Sequence, residues 1–347
     1  MISRFELKLN SLLAMLRLVG RWMAVGFRAL CLFLLVAWTT LAIHYSNLPW
    51  PWLRTVLAVV FASYAVWALC INRRRSVIGW FFGTFVGVLG WWCLIPPSHD
   101  RPWKPEVAVM PRAVIHGDLV KIKGFRNFIY RSQNDFTVAY EERDFDLSRI
   151  VSVDFFASYW MPGPVGHTFV SFNFEDSDPL CISIEVRPEI REGFSPIGSL
   201  FKQFELIYVA GDERDIVGVR TNHRHEDVFL YPTRASKESA RRLLGIYLAR
   251  MNQLAEKPEF YHLLSNSCTI NMVRYANAAG NRERPFDFRY VLNGLIDQYL
   301  YSEGIIDNSL PFADLKKRAK VNSAAQAAGI DPEFSKQIRI TTPPESN

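Results

Sequence analysis

Gly166-His167-Thr168-Phe169-Val170-Ser171-Phe172-Asn173-Phe174 alternates with a period of two. Successive side chains of an extended chain point to opposite faces. Thr168, Val170, Phe172 and Phe174 therefore share one face of a strand, and His167, Phe169, Ser171 and Asn173 the other. Residues 180–186 repeat the pattern. Leu180, Ile182, Ile184 and Val186 fall on one face, and Cys181, Ser183 and Glu185 on the other. If both apolar faces turn to one core, His167 and Glu185 approach each other on the opposite face. A histidine beside an acid on a rigid strand is what a general base with an orienting partner requires. A histidine satisfied by backbone at a strand start is the plainer alternative.

Working outward, residues near 120–122, 128–130, 136–140 and 150–157 read as further short strands. So do 203–210, 215–220 and 227–230. Helices follow. Residues 237–255 carry Leu243, Leu244, Tyr247, Leu248, Met251 and Leu254 at helical spacing. Residues 268–279 read as a shorter helix, with Ser267 as N-cap and Gly280 at the left-handed C-terminal position. Residues 288–301 read as another. Strands followed by helices predict an α+β domain, an antiparallel sheet with helices packed on it.

Ser265-Asn266-Ser267-Cys268-Thr269-Ile270-Asn271 puts a cysteine at a helix start. Aligned peptide dipoles and free N–H groups there favour a thiolate and can hold a developing oxyanion. A helix-start cysteine with a strand histidine is the arrangement of papain-like thiol enzymes. The chain has five cysteines. Cys31, Cys70 and Cys93 lie in apolar runs, so a disulfide between Cys181 and Cys268 is the competing reading in an oxidising compartment.

The first hundred residues differ in kind. No Asp, Glu, Lys or Arg occurs between Arg28 and Arg54, between Arg54 and Arg73, or between Arg75 and Asp100. About 20 apolar helical residues cross a hydrocarbon core. Residues 29–45, 55–71 and 77–95 each meet that need, and three transmembrane helices are expected. Ser46-Asn47-Leu48-Pro49-Trp50-Pro51 separates the first two, with interfacial Trp50 and Trp52. Arg4, Lys8, Arg17, Arg21 and Arg28 precede the first span, and Arg73, Arg74 and Arg75 separate the second and third. The positive-inside rule places both groups in the cytoplasm and residues beyond Pro96 outside, the periplasm of a Gram-negative cell. The expected organisation is a cytoplasmic N-terminus (1–28), a membrane domain (29–95), a linker (96–113), an outer domain (114–340) and a disordered tail (341–347).

The net charge of +6 owes much to these flanking basic residues. No basic helix or aromatic-interleaved patch points to nucleic acid. His223-Arg224-His225-Glu226-Asp227 groups metal-ligand types, but reads as a solvated turn without a further ligand pair. No metal or cofactor is expected. His262 reads as a packing or surface residue in a helix before Cys268. Asp135, Glu141, Glu142 and Arg143 read as hairpin charges. Glu205 and Asp212 have no assignable partner.

Several stretches together resemble one bacterial family. They are Asn127-Phe128-Ile129-Tyr130-Arg131-Ser132-Gln133-Asn134-Asp135-Phe136, Val153-Asp154-Phe155-Phe156-Ala157-Ser158-Tyr159-Trp160 and Gly166-His167-Thr168. Ser183-Ile184-Glu185, Phe204-Glu205-Leu206-Ile207-Tyr208, Glu226-Asp227-Val228-Phe229-Leu230-Tyr231 and Asn266-Ser267-Cys268-Thr269 complete the set. The family is the Lnb N-terminal periplasmic domain, and the resemblance covers roughly residues 114–318. It implies a papain-like fold, a Cys–His pair and a part in lipoprotein N-acylation. The order of His167 before Cys268 resembles the circularly permuted, NlpC-type branch, which includes lecithin:retinol acyltransferases.

The resemblance implies Cys268 as nucleophile and His167 as base. Glu185 as third member is the geometric inference, with Ser183 the alternative on the same face. The expected activity is a membrane-anchored thiol acyltransferase or acyl hydrolase working through a thioester, with membrane lipids and lipoproteins as partners. A cell-wall cysteine peptidase or amidase, and a non-catalytic binding module, are the competing readings.

Overall fold

The computed structural model describes residues 2–72, 74–281 and 284–340. Arg73 and the tail expected to be disordered lie outside the described residues. The chain divides into two compact units, residues 1–96 with 201–203, and residues 97–200 with 204–347.

The first unit is helical: α1 (Ile2–His44), α2 (Pro51–Val66) and α3 (Arg75–Leu94). Pro51 sits at the first turn of α2, where its missing N–H costs nothing. A π-helical turn, Trp67–Ile71, extends α2. Among the described residues three helices are long and apolar enough to cross a membrane: Met15–His44, Pro51–Ile71 and Arg75–Leu94. No break separates residues 2–28 from the first apolar stretch. The 43 residues of α1 run continuously, roughly 65 Å at the helical rise and about twice a hydrocarbon core. Small residues let the helices approach: Ala58, Ala65 and Ala68 are buried beside Phe61 and Phe81, whose rings stack at 6.2 Å. Trp22, Phe33, Val59 and Trp80 stay exposed, the apolar surface that lipid would cover.

The second unit begins with β1 (Arg112–His116), β2 (Leu119–Arg126), β3 (Ile129–Tyr130), β4 (Phe136–Thr137), β5 (Tyr140–Asp146) and β6 (Ile150–Tyr159). β7 (His167–Phe174), β8 (Leu180–Arg187), β9 (Glu205–Gly211), α4 (Glu213–Gly218) and β10 (Asp227–Pro232) follow. The chain then turns helical with α5 (Lys237–Glu256), α6 (Cys268–Gly280), α7 (Ile296–Ser302), α8 (Phe312–Ala319), α9 (Asn322–Ala328) and α10 (Phe334–Gln337). An eight-stranded sheet runs β1-β2-β9-β8-β7-β6-β10, with β5 on β2. Its pairs are antiparallel apart from a parallel β2–β9 contact at Arg126 and Gly211. The α+β expectation holds.

Both faces of this sheet are covered, and the period-two pattern explains why. Val170, Phe172, Ile182 and Tyr208 pack against Leu244, Tyr247 and Leu248 of α5 and Tyr275 of α6. Phe156, Phe169, Cys181 and Val209 pack against Ile216 and Val217 of α4, Ala325 of α9 and Phe334 of α10. Each buried Val, Leu, Ile or Phe among them stabilises the fold by about 1.5–3 kcal/mol.

Four local expectations are corrected. Residues 215–220 are not a strand. Asp212 caps α4 by accepting from the Arg214 N–H, and a π-helical turn, Val219–His223, continues it. Residues 288–301 are not one helix but two 3-10 turns, Phe288–Tyr290 and Asn293–Leu295, followed by α7. Gly280 ends α6 in helical conformation, and Asn281 takes the left-handed position at φ 48°. His262 lies in a turn, bridged to Asn266, with its ring nitrogen Nδ1 3.0 Å from the Ser265 hydroxyl.

Candidate active site

His167 opens β7, and Cys268 opens α6. Two hydroxyls tie these elements: Thr168 Oγ1 and Thr269 Oγ1 are 3.0 Å apart and buried. Ser267 caps α6 by accepting from the Ile270 N–H. Cys268 is 2% exposed and lies within hydrogen-bond reach of the His167 ring.

Burial alone would push the Cys268 thiol up. The hydrogen bond and charge of His167 act the other way, as do the Thr168 N–H and hydroxyl, and together they bring the thiol down to about 6. A lowered thiol favours the thiolate, the nucleophilic form. Cys181 is the contrast. Burial, with Glu213 nearby, raises it well above the ordinary thiol value. Both thiols are free, and they fall in different hydrophobic clusters, Cys268 with Val170 and Tyr247, Cys181 with Phe169 and Val209.

The cross-strand register sets the far side of the imidazole. Phe169 pairs with Ser183 in β7–β8, which puts Glu185 opposite His167 by extension. The diagonal neighbour is nearer: His167 Nε2 lies 2.7 Å from Ser183 Oγ and 3.9 Å from Glu185 Oε1. With Nε2 on Ser183, Nδ1 is left for the thiol. The Glu185 carboxylate accepts instead from Arg220 Nη2 at 2.8 Å. Burial would raise Glu185, but Arg220, then His167 and Arg126, hold it well below the usual carboxylate range. Arg220 is 3% exposed, and its guanidinium lies 5.0 Å over the Phe169 ring.

Three neighbours carried little sequence signal. Asn293 Nδ2 lies 3.8 Å from the Cys268 sulfur. Tyr261 hydrogen-bonds to Cys268, and its hydroxyl is pushed well up, by burial first and the thiolate second. Arg220 was hidden in a segment read as a strand. A helical pattern broken by Gly294 was the one available hint of the Asn293 turn.

These groups line a cleft of about 380 Å³. Its lining includes the apolar Trp160, Val165, Val186, Phe194 and Leu263, together with Lys104, Arg126, Arg220 and Arg224 and the acids Glu106, Glu185 and Glu226. Trp160 and Phe194 meet edge to face at 5.9 Å. A larger opening of about 1120 Å³ includes Asp154, Lys320 and Arg339 but neither Cys268 nor His167. Within it Arg339 pairs with Asp154 at 2.9 Å and with Glu213 at 2.6 Å.

Other candidates resolve into structure. Glu205, buried at the start of β9, pairs with Arg101 at 3.0 Å, and Asp212 with Arg143 at 3.1 Å. Burial outweighs the Arg101 charge and pushes Glu205 up to about 7. Glu141 also pairs with Arg143, and Asp135 with Arg131. No His, Cys, Asp or Glu cluster among the described residues has metal-binding geometry.

No curated protein and no solved structure matches the chain. Residues 136–294 match the family model of the Lnb N-terminal periplasmic domain, a stretch that takes in His167, Ser183, Glu185, Cys268 and Asn293. With three apolar helices ahead of it, the match fits a membrane protein with a periplasmic domain. Residues 136–294 are thus similar to the Lnb N-terminal periplasmic domain, and three helices long and apolar enough to cross a membrane precede them.

Proposed function

We propose that this domain is a thiol acyltransferase or acyl hydrolase of permuted papain-like type, anchored in the bacterial inner membrane. The N-terminus lies in the cytoplasm and the Cys268 domain in the periplasm. The observation that carries the reading is the buried Cys268 thiol at a helix start, brought down to about 6 by its hydrogen bond to His167.

The Cys268 thiolate attacks the carbonyl carbon of a lipid acyl ester. A C–S bond forms, and donors at the helix start stabilise the oxyanion. The C–O bond breaks, and the alkoxide leaves with the proton held by His167. An amine, such as a lipoprotein N-terminus, or water then attacks the thioester. His167 takes its proton, and the thiolate departs. Ser183 holds the imidazole through Nε2, and Glu185 favours the imidazolium from 3.9 Å. The apolar part of the lining, with Trp160 and Phe194 in contact, suits an acyl chain.

The test is a mass measurement. The purified full-length protein is incubated with phospholipid vesicles and digested, and the Cys268 peptide is weighed. An acyl adduct on Cys268, with loss of fatty-acid release in Cys268→Ala, is the expected result. A peptide adduct would favour a peptidase. Full activity in Cys268→Ala would sink the mechanism.

A further inference from the structure

Asn293 is 5% exposed, and both ends of its amide are engaged. Its Oδ1 accepts from the Gly166 N–H at 2.9 Å, and its Nδ2 donates to the Gly166 carbonyl at 2.6 Å. An amide nitrogen carries two hydrogens. The second faces Cys268, whose sulfur lies 3.8 Å away. Gly166 immediately precedes His167, so one side chain grips the backbone beside the base and reaches the nucleophile.

The surrounding backbone is built for this approach. The Gly294 N–H donates to the Pro164 carbonyl at 2.9 Å. A Cβ at Gly294 would stand 2.5 Å from the Pro164 carbonyl carbon and 2.8 Å from the Gly163 oxygen. Tyr159 holds the other side, its hydroxyl donating to the Gly294 carbonyl at 3.1 Å. A Cβ at Gly166 would in turn meet the Ser158 oxygen at 2.9 Å. Only glycines at both positions let the two loops close to amide-clamp distance.

We infer that Asn293 is a positioning residue of the Cys268–His167 pair, fixing the entry of the histidine strand through Gly166 and donating to the thiolate. The inference rests on the thiolate reading of Cys268 but not on acyl transfer. Alkylation of the thiol therefore tests it whatever the substrate proves to be. Burial pushes the thiol up, and the contacts from His167 and Thr168 bring it down. The titratable groups facing it are His167 from β7, Tyr247 from α5 and Tyr261 before α6.

The experiment measures the rate of Cys268 alkylation by iodoacetamide against pH in the full-length protein, read by mass spectrometry of the Cys268 peptide. Asn293→Ala should raise the midpoint by about one unit, a roughly tenfold smaller thiolate fraction at low pH. Asn293→Asp keeps an acceptor for the Gly166 N–H but sets a carboxylate beside the sulfur, and should raise the midpoint further. A purely structural role would lower the melting temperature of both variants without ordering their midpoints in this way. An unchanged midpoint in Asn293→Asp overturns the inference, even if Asn293→Ala fails to fold.

Discussion

Ser183 and Glu185 compete for one imidazole nitrogen, and distance decides between them. A hydroxyl at 2.7 Å makes a hydrogen bond, whereas a carboxylate at 3.9 Å contributes only its field. Ser183→Ala removes the direct partner of His167. A hydrogen bond to a charged group is worth about 1.5–3 kcal/mol, so turnover should fall roughly ten- to hundredfold. Glu185→Gln should cost less, because the carboxylate it removes is already neutralised by Arg220. Steady-state rates of the two variants, compared at pH 7, check the order. A larger loss in Glu185→Gln would restore the acid as the principal partner.

At the scale of elements, the site is a junction of β7, β8, α6 and the turn that follows α4. That turn delivers Arg220 across the sheet face to Glu185. Arg220→Gln leaves a carboxylate in place without its cation. Removing one partner of a buried pair costs about 3–5 kcal/mol. The sign with pH follows from the depressed Glu185 carboxyl. Its stabilisation is fully present above the ordinary carboxylate range and fades as acid protonates it. The gap between wild type and Arg220→Gln should therefore be wide at pH 7, begin to close only below about pH 4, and be narrow toward pH 2. Denaturant unfolding at pH 7 and pH 2 measures it, and a constant gap would contradict the pairing. Asp215 is also paired with an arginine, its carboxylate accepting from Arg126 at 2.8 Å and from the Phe128 N–H at 2.7 Å, but there burial outweighs both and pushes the carboxyl up. The segment expected as a strand is helical because Asp212 caps it and Asp215 anchors it.

For the whole molecule, the proposed chemistry and the proposed anchoring lie on one chain, with the apolar helices ending before Ile95. The proposed topology puts Arg74 and Ser98 on opposite sides of the bilayer. A cysteine placed at Ser98 should react with a membrane-impermeant maleimide in cells with a permeable outer membrane. One placed at Arg74 should react only after lysis. Labelling of Arg74→Cys in intact cells would invert the topology and move Cys268 out of the periplasm.

The sequence by itself determined the three apolar helices, the α+β class and the faces of β7 and β8. Each rests on a local period or length that the solvent enforces residue by residue. It also placed Cys268 at a helix start, since the Ser267 cap and the following periodicity are local. Tertiary structure alone decided what surrounds the thiol. Asn293 lies 25 residues beyond Cys268 in the chain yet meets its sulfur, and Arg220 meets Glu185 at a separation of 35. Such contacts depend on how strands register and loops close. That is why Glu185 was chosen over Ser183 from alternation, while the diagonal geometry of the sheet favoured the serine.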